Sequence, residues 1–236
     1  MGSSAIPYLD VLWSPITGGC SDDMPCAPRC WARAMHRRLP VIHGNGVPFS
    51  APIFHPDRLG QPLRWRRSRV VGVCFLGELF AHAIPSLWRQ EMLKVVAATP
   101  RHIYLLLTKQ PQNITRDWGI FENVWIGTSV TDQATADERI PLLLSIPAAH
   151  RWVSVEPLIG PTFLVPYLPD LNQVIVGCES GANRRPAPHF WAAEISDACR
   201  GARVPCYIKQ LSEHPNGNGE VFRFEPKPGE LAWRNP

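Results

Sequence analysis

At 236 residues, with 45% apolar and 19% charged side chains, the chain has the composition of a globular protein, and its length suits one large α/β domain or one α/β barrel. The formal charge of +4 is a mild basic excess that fits an anionic ligand or nucleic acid without specifying either. No run approaches the roughly 18 apolar residues of a membrane span, and no basic segment leads into an apolar stretch at the N-terminus, so a cytoplasmic protein without membrane contact is expected.

The first predicted element is a short strand near Tyr8 to Trp13. It leads into Trp13-Ser-Pro-Ile-Thr-Gly-Gly-Cys20-Ser-Asp-Asp-Met-Pro-Cys26-Ala-Pro-Arg-Cys30, a Gly- and Pro-rich loop with three of the seven cysteines. An odd count in a chain too long to need disulfide staples, with three thiols crowded together, fits metal binding better than a disulfide framework. The scattered Cys74, Cys178, Cys199 and Cys206 sit in or beside apolar runs and read as small buried hydrophobes.

Basic segments follow at Arg33 to Arg38 and Arg64 to Arg69, the second including Trp65. They combine cationic and aromatic groups as nucleic-acid surfaces do, and read equally as solvated loop faces. Pro40, Pro48, Pro52, Pro56 and Pro62 punctuate this region, so about residues 14–69 form an irregular cysteine-containing segment within a single domain spanning 1–236.

From about residue 70 short β-branched runs alternate with amphipathic stretches, the signature of repeated βα units and a parallel sheet. The predicted strands are Val70 to Leu76, Ile103 to Leu107, Val124 to Thr128, Arg151 to Val155, Val174 to Gly177 and Pro205 to Ile208, with helices at about 84–98, 133–146 and 188–201. About six strands arranged as a partial or complete parallel (β/α) barrel is the economical architecture. In such folds the loops at the C-terminal edge of the sheet converge on one mouth. The strand ends here are polar: Gly77-Glu78, Thr108-Lys109, Ser129, Glu156, Glu179-Ser180 and Lys209-Gln210.

Thiolates are the usual ligands of iron–sulfur clusters, and a cubane held by three of them keeps one iron open. Zinc is the competing reading, with a Cys₃His site completed by His36 or His43. A zinc-stabilised nucleic-acid-binding module, and a metal-free barrel enzyme using strand-end carboxylates as acid and base, are the alternatives from other classes.

The order strand, three-cysteine loop, second strand ending in Gly-Glu resembles the radical S-adenosylmethionine superfamily, although the loop is C-x₅-C-x₃-C where the common pattern is C-x₃-C-x₂-C. Nearly the whole chain is similar to a phage-encoded and bacterial three-cysteine protein family regarded as radical S-adenosylmethionine-like. The shared features are Trp13-Ser-Pro-Ile-Thr-Gly, the three cysteines, Leu107-Thr-Lys-Gln-Pro111, Ser154-Val-Glu-Pro-Leu-Ile-Gly160, Gly177-Cys-Glu-Ser-Gly181 with Arg185-Pro186, and Lys209-Gln210. The family shows Asn at Ser14, a tighter spacing of the last two cysteines and Gly at Cys178.

The resemblance implies a barrel of the radical S-adenosylmethionine type in which Cys20, Cys26 and Cys30 hold a [4Fe–4S] cluster that chelates S-adenosylmethionine. Reductive cleavage then gives a 5′-deoxyadenosyl radical for hydrogen abstraction. Gly77 and Glu78 would meet the methionine amino group; Ser129, Glu156 and Glu179 are candidates for ribose or substrate contacts; Lys109 and Lys209 are candidates for binding a carboxylate or phosphate. The implied partners are a flavodoxin or ferredoxin as electron donor and DNA or a nucleotide as substrate. A modified nucleobase of phage DNA undergoing isomerisation, in the cytoplasm of the host cell, is the expectation.

Overall fold

The computed structural model describes residues 4, 6–39, 46–119, 121–179, 184–212, 221–223 and 226–234. Its elements in chain order are β1 (Val11–Trp13), β2 (Ile16–Thr17), α1 (Trp31–Arg38), β3 (Ile53–Phe54), α2 (Pro56–Leu59), β4 (Val70–Val73), α3 (Ser86–Ala97), β5 (Ile103–Thr108), β6 (Val124–Val130), α4 (Gln133–Leu144), β7 (His150–Val155), β8 (Gln173–Gly177), α5 (His189–Ala202), β9 (Cys206–Ser212) and β10 (Val221–Arg223).

One sheet runs in the order β1-β4-β5-β6-β7-β8-β9-β10. Its first seven strands are mutually parallel, and only β10 runs antiparallel, on β9. The parallel strands curl into a half-barrel. The expected partial parallel barrel is therefore present, with seven parallel strands where about six were predicted.

Successive side chains on a strand face opposite sides, and the two faces are covered by different material. On one face Val71, Val73, Tyr104, Leu106, Ile126, Val153, Val155 and Val176 pack with Met92 and Val96 of α3, Ile140 and Leu143 of α4, and Ile195 and Cys199 of α5. The other face carries Val70, Leu105, Trp125, Trp152, Ile175 and Tyr207, which pack with Tyr8, Leu9, Leu231 and Trp233. Coverage on both faces explains why β4 and β6 are buried along their whole length.

Trp152 is the centre of this second cluster. Its indole N–H donates to the Leu106 carbonyl at 3.0 Å, and a Cβ at Gly127 would lie 2.4 Å from Nε1. Only glycine at 127 leaves room for the ring.

Several boundaries differ from expectation. The first strand shortens to Val11–Trp13, because Tyr8 and Leu9 leave the sheet to pack in the interior. β4 ends at Val73 and not Leu76: Cys74 adopts φ 55°, a left-handed conformation that cannot continue a strand. β9 extends to Ser212 because β10 pairs along its outer edge. The segment 14–69 is less irregular than expected, since it contains α1 and the β2–β3 pairing. α4 starts at a capping box in which Asp132 accepts from the Thr135 N–H at 2.9 Å and the Thr135 hydroxyl accepts from the Asp132 N–H at 3.1 Å.

Candidate functional site

The cysteine loop is fastened to the end of β4 by backbone contacts. Gly18 and Gly19 have φ of +73° and +79°, values that glycine adopts without steric cost. The Glu78 N–H donates to the Gly18 carbonyl at 2.8 Å, and the Gly18 N–H donates to Leu76 at 3.2 Å. A Cβ on Gly77 would sit 2.3 Å from the Gly18 carbonyl oxygen, so this crossing of loop and strand end requires glycine at 77.

Beyond the crossing, Cys20 and Cys26 are buried and Cys30 is half-buried at the N-terminus of α1. Arg33 of α1 ties the loop down. Its guanidinium pairs with Asp22, donates to the Ser21 carbonyl at 3.2 Å, and lies 5.1 Å from the centre of the Phe49 ring. One cation of the first basic segment thus serves the loop. In the second segment Trp65 is buried edge-on against His102, and its carbonyl accepts from Arg101 at 2.8 Å. Arg64, Arg66 and Arg67 remain exposed, but Trp65 offers no aromatic surface to a nucleic acid.

At the C-terminal mouth of the half-barrel lies a cavity of about 440 Å³. Cys20, Cys26 and Cys30 line it together with Gly77, Lys109, Ser129, Glu156, Glu179 and Lys209. Residues spread over nearly the whole sequence therefore meet at one place, drawn from the ends of six successive parallel strands and from the cysteine loop.

Glu78 is the exception among the predicted residues. It is 1% exposed and is not part of the cavity wall. Its carboxylate accepts from the Phe80 N–H at 3.2 Å, the Lys109 N–H at 2.8 Å and the Thr108 hydroxyl. It locks the end of β4 to the end of β5, and the cavity-facing member of the Gly-Glu element is Gly77.

The other carboxylates are paired. Lys209 donates to Glu156 at 2.5 Å, and the Ser129 hydroxyl donates to the Glu156 carbonyl at 2.8 Å. Glu179 accepts from the Arg185 backbone at 2.7 Å and from the Arg185 guanidinium through two nitrogens, with Arg29 of the cysteine loop 3.9 Å away. This last contact joins the loop to the end of β8.

Electrostatics tie Lys109 to the thiols. Burial alone would lower its pKa, but attraction to Cys20, Cys26, Glu78 and Cys30 outweighs that and raises it. Burial pushes the Cys20 thiol up to about 11, opposed by Lys109 and reinforced by Glu78 and the other two sulfurs. The lysine is thus the cationic partner of the cysteine cluster, and it stays charged at any working pH.

Among the described residues no three His, Cys, Asp or Glu side chains converge as ligands of one metal ion. His36, one of the residues considered for a zinc site, is hydrogen-bonded to the Val47 carbonyl at 2.7 Å; His43 lies outside the described residues, as does Ser180. Three thiols on one cavity wall beside the half-buried Lys109 are the donor set that a cluster would need, each sulfur then binding a different iron.

A family model described as "Protein of unknown function (DUF5131)" matches residues 3–229. The chain belongs to this family. No curated protein and no solved structure matches the chain. Family membership thus covers the half-barrel and the cysteine loop together, while assigning neither a role.

Sequence reasoning assigned no role to several cavity residues. Ser154 lines the wall, is 1% exposed, and its hydroxyl has no hydrogen-bond partner among the described residues. The signal was the period of two: Ser154 precedes Glu156 by two residues and shares its face. Cys178 is buried as expected, yet it lines the cavity as well. Tyr8 and Trp31 reach the cavity from outside the sheet, and no local pattern marks that. Among the described residues no helix is long and apolar enough to cross a membrane.

Proposed function

We propose that this protein is a radical S-adenosylmethionine enzyme, with Cys20, Cys26 and Cys30 as the ligands of a [4Fe–4S] cluster. The observation that carries the reading is the convergence on one cavity of all three thiols and the ends of six parallel strands, five of which contribute polar side chains. When bound and reduced, the cluster and S-adenosylmethionine supply a 5′-deoxyadenosyl radical for hydrogen abstraction. The protein's own residues hold, orient and enclose. The backbone at Gly77, which lines the cavity, would meet the ammonium of S-adenosylmethionine, the Glu156–Lys209 pair presents both charges to polar ligand groups, and Lys109 offsets the negative charge of the sulfur ligands.

A curled half-barrel of parallel strands supports this reading, and an open sheet suits a large substrate at the mouth. At the rim Trp31 is 47% exposed, beside Arg29 and Arg38. An aromatic face flanked by cations supports a nucleotide or a base in DNA as substrate, with a rearranged, modified nucleobase as the product class. A low-potential donor such as a flavodoxin or ferredoxin supplies the electron.

The test is anaerobic reconstitution followed by iron and sulfide analysis, then incubation with S-adenosylmethionine and dithionite. A brown protein that releases 5′-deoxyadenosine, and a Cys26→Ala variant that does not, are the expected results. A colourless protein with stoichiometric zinc overturns the reading.

A further inference from the structure

The three loop cysteines are not the only thiols at the cavity. Among the described residues Cys178 also lines it, whereas Cys74, Cys199 and Cys206 do not. Cys178 follows β8 on the side of the cavity bounded by Glu156 and Glu179, and its side chain is 1% exposed. Its backbone is held from both directions: its N–H donates to the Gln210 carbonyl at 3.1 Å and its carbonyl accepts from the Gln210 side chain at 2.6 Å. The thiol therefore has a defined place on the wall.

Burial, reinforced by Glu156 and opposed by Arg184, pushes this thiol up to about 11. At neutral pH it keeps its hydrogen, so an S–H bond is present on this part of the wall. A second observation marks the same wall as a ligand's place. Ser154, one strand away on β7, turns a buried hydroxyl without a protein partner onto the cavity, and a buried hydroxyl left unsatisfied is costly unless a ligand meets it.

We infer that Cys178 is a hydrogen-atom donor to a carbon-centred radical held in this cavity, with Ser154 bonding a polar group of the molecule that carries the radical. The inference rests on the radical reading above and adds a residue to it. In the step, the S–H bond of Cys178 breaks homolytically and its hydrogen forms a C–H bond at the radical carbon. The thiyl radical left on Sγ returns to thiol by taking one electron from a low-potential reductant, here dithionite, and one proton from solvent. Sulfur suits this step because an S–H bond is weaker than the C–H bond it replaces, whereas the O–H bond of a serine is stronger. Tyr8, also buried at the cavity, carries another weak X–H bond and is the natural control.

The experiment uses the reconstituted protein with S-adenosylmethionine and dithionite in D₂O, without further substrate, and reads the deuterium content of the 5′-deoxyadenosine formed. Exchange places deuterium on the thiol, so the wild-type product is expected to carry one deuterium. Cys178→Ala and Cys178→Ser are expected to drop the label to background in whatever product forms, while Tyr8→Phe keeps it. Label persisting in both cysteine variants, or lost only in Tyr8→Phe, overturns the assignment to Cys178. Absence of 5′-deoxyadenosine from the wild type overturns the radical reading itself.

A readout independent of turnover is alkylation of the reconstituted protein by iodoacetamide, with the loop thiols protected as ligands. Cys178 is expected to resist alkylation near neutral pH and to react only as the pH approaches 11. Rapid labelling at neutral pH would overturn the neutral, enclosed thiol that the proposal needs.

Discussion

The two ends of the half-barrel are built from the same seven parallel strands and are chemically opposite. Toward the strands' N-terminal ends the interior is filled by aromatic rings: Trp152 and Trp233 pack at 5.6 Å and Trp125 and Trp233 at 5.2 Å, while Tyr8, which also lines the cavity, touches both Trp152 and Tyr207. At the C-terminal ends the same inner face carries hydroxyls, charged pairs and thiols around open volume. One end closes the fold and the other hosts chemistry, a division that parallel β/α architectures share because the loops at only one edge converge. Position along a strand decides the role of a residue as much as its type does.

Substitutions at each end break or sharpen this contrast. The largest effect is expected from Cys20→Ala, Cys26→Ala or Cys30→Ala, each abolishing iron retention after reconstitution while the fold survives, as read by iron content and circular dichroism. Full iron content in any of the three would remove that cysteine from the ligand set.

At the closed end, Trp152→Ala is expected to cost about 3–5 kcal/mol of stability, because it empties the centre of the aromatic cluster. Urea denaturation measures this, and a loss below about 1 kcal/mol would mean that the cluster repacks. Between the two ends in size stands Arg185→Met, which takes from the buried Glu179 its nearer cation and leaves the more distant Arg29. A loss of about 2 kcal/mol is expected from urea midpoints, because the buried carboxylate loses the guanidinium that meets it through two nitrogens.

The smallest effect concerns pH at the closed end. His102 is buried beside Arg101 and donates to the Pro62 carbonyl at 3.1 Å. Burial lowers its pKa, with the Pro62 bond opposing and Arg101 and Arg69 assisting. With the folded-state pKa depressed, the unfolded chain binds more protons as pH falls below its ordinary value near 6.5, so stability present above that pH is lost on acidification. His102→Asn should flatten the fall in stability between about pH 7 and 5, measured by urea midpoints. An unchanged slope would assign the loss to other groups.

Much of the framework was legible because it follows local rules. The strands from Ile103 and Val124 and the helices near 86–97, 133–144 and 189–202 were marked by β-branched runs and amphipathic spacing, and the polar residues fell at the strand ends. Boundaries set by tertiary contact were not legible. Nothing near Val73 announces that Cys74 turns left-handed under the loop, and nothing in Lys209-Gln210 shows that β9 continues past them to receive β10. Glu78 and Lys109 show the same limit. The carboxylate is consumed by the backbone at the end of β5, and the ammonium faces the thiols, outcomes that depend on how closely β4 and β5 lie.

By itself the sequence determined the alternation of strand and helix, the three-cysteine loop, and the placing of polar residues where strands stop, since all of these rest on periodicity and local turn chemistry. The tertiary structure alone decided which of those residues share a cavity, that Trp65 is buried while Trp31 stands at the mouth, and that Ser154 and Cys178 face the thiols' cavity. The physical reason is that burial and encounter are set by the curl of the sheet and the crossing of Gly18 over Gly77, contacts between residues far apart in the chain.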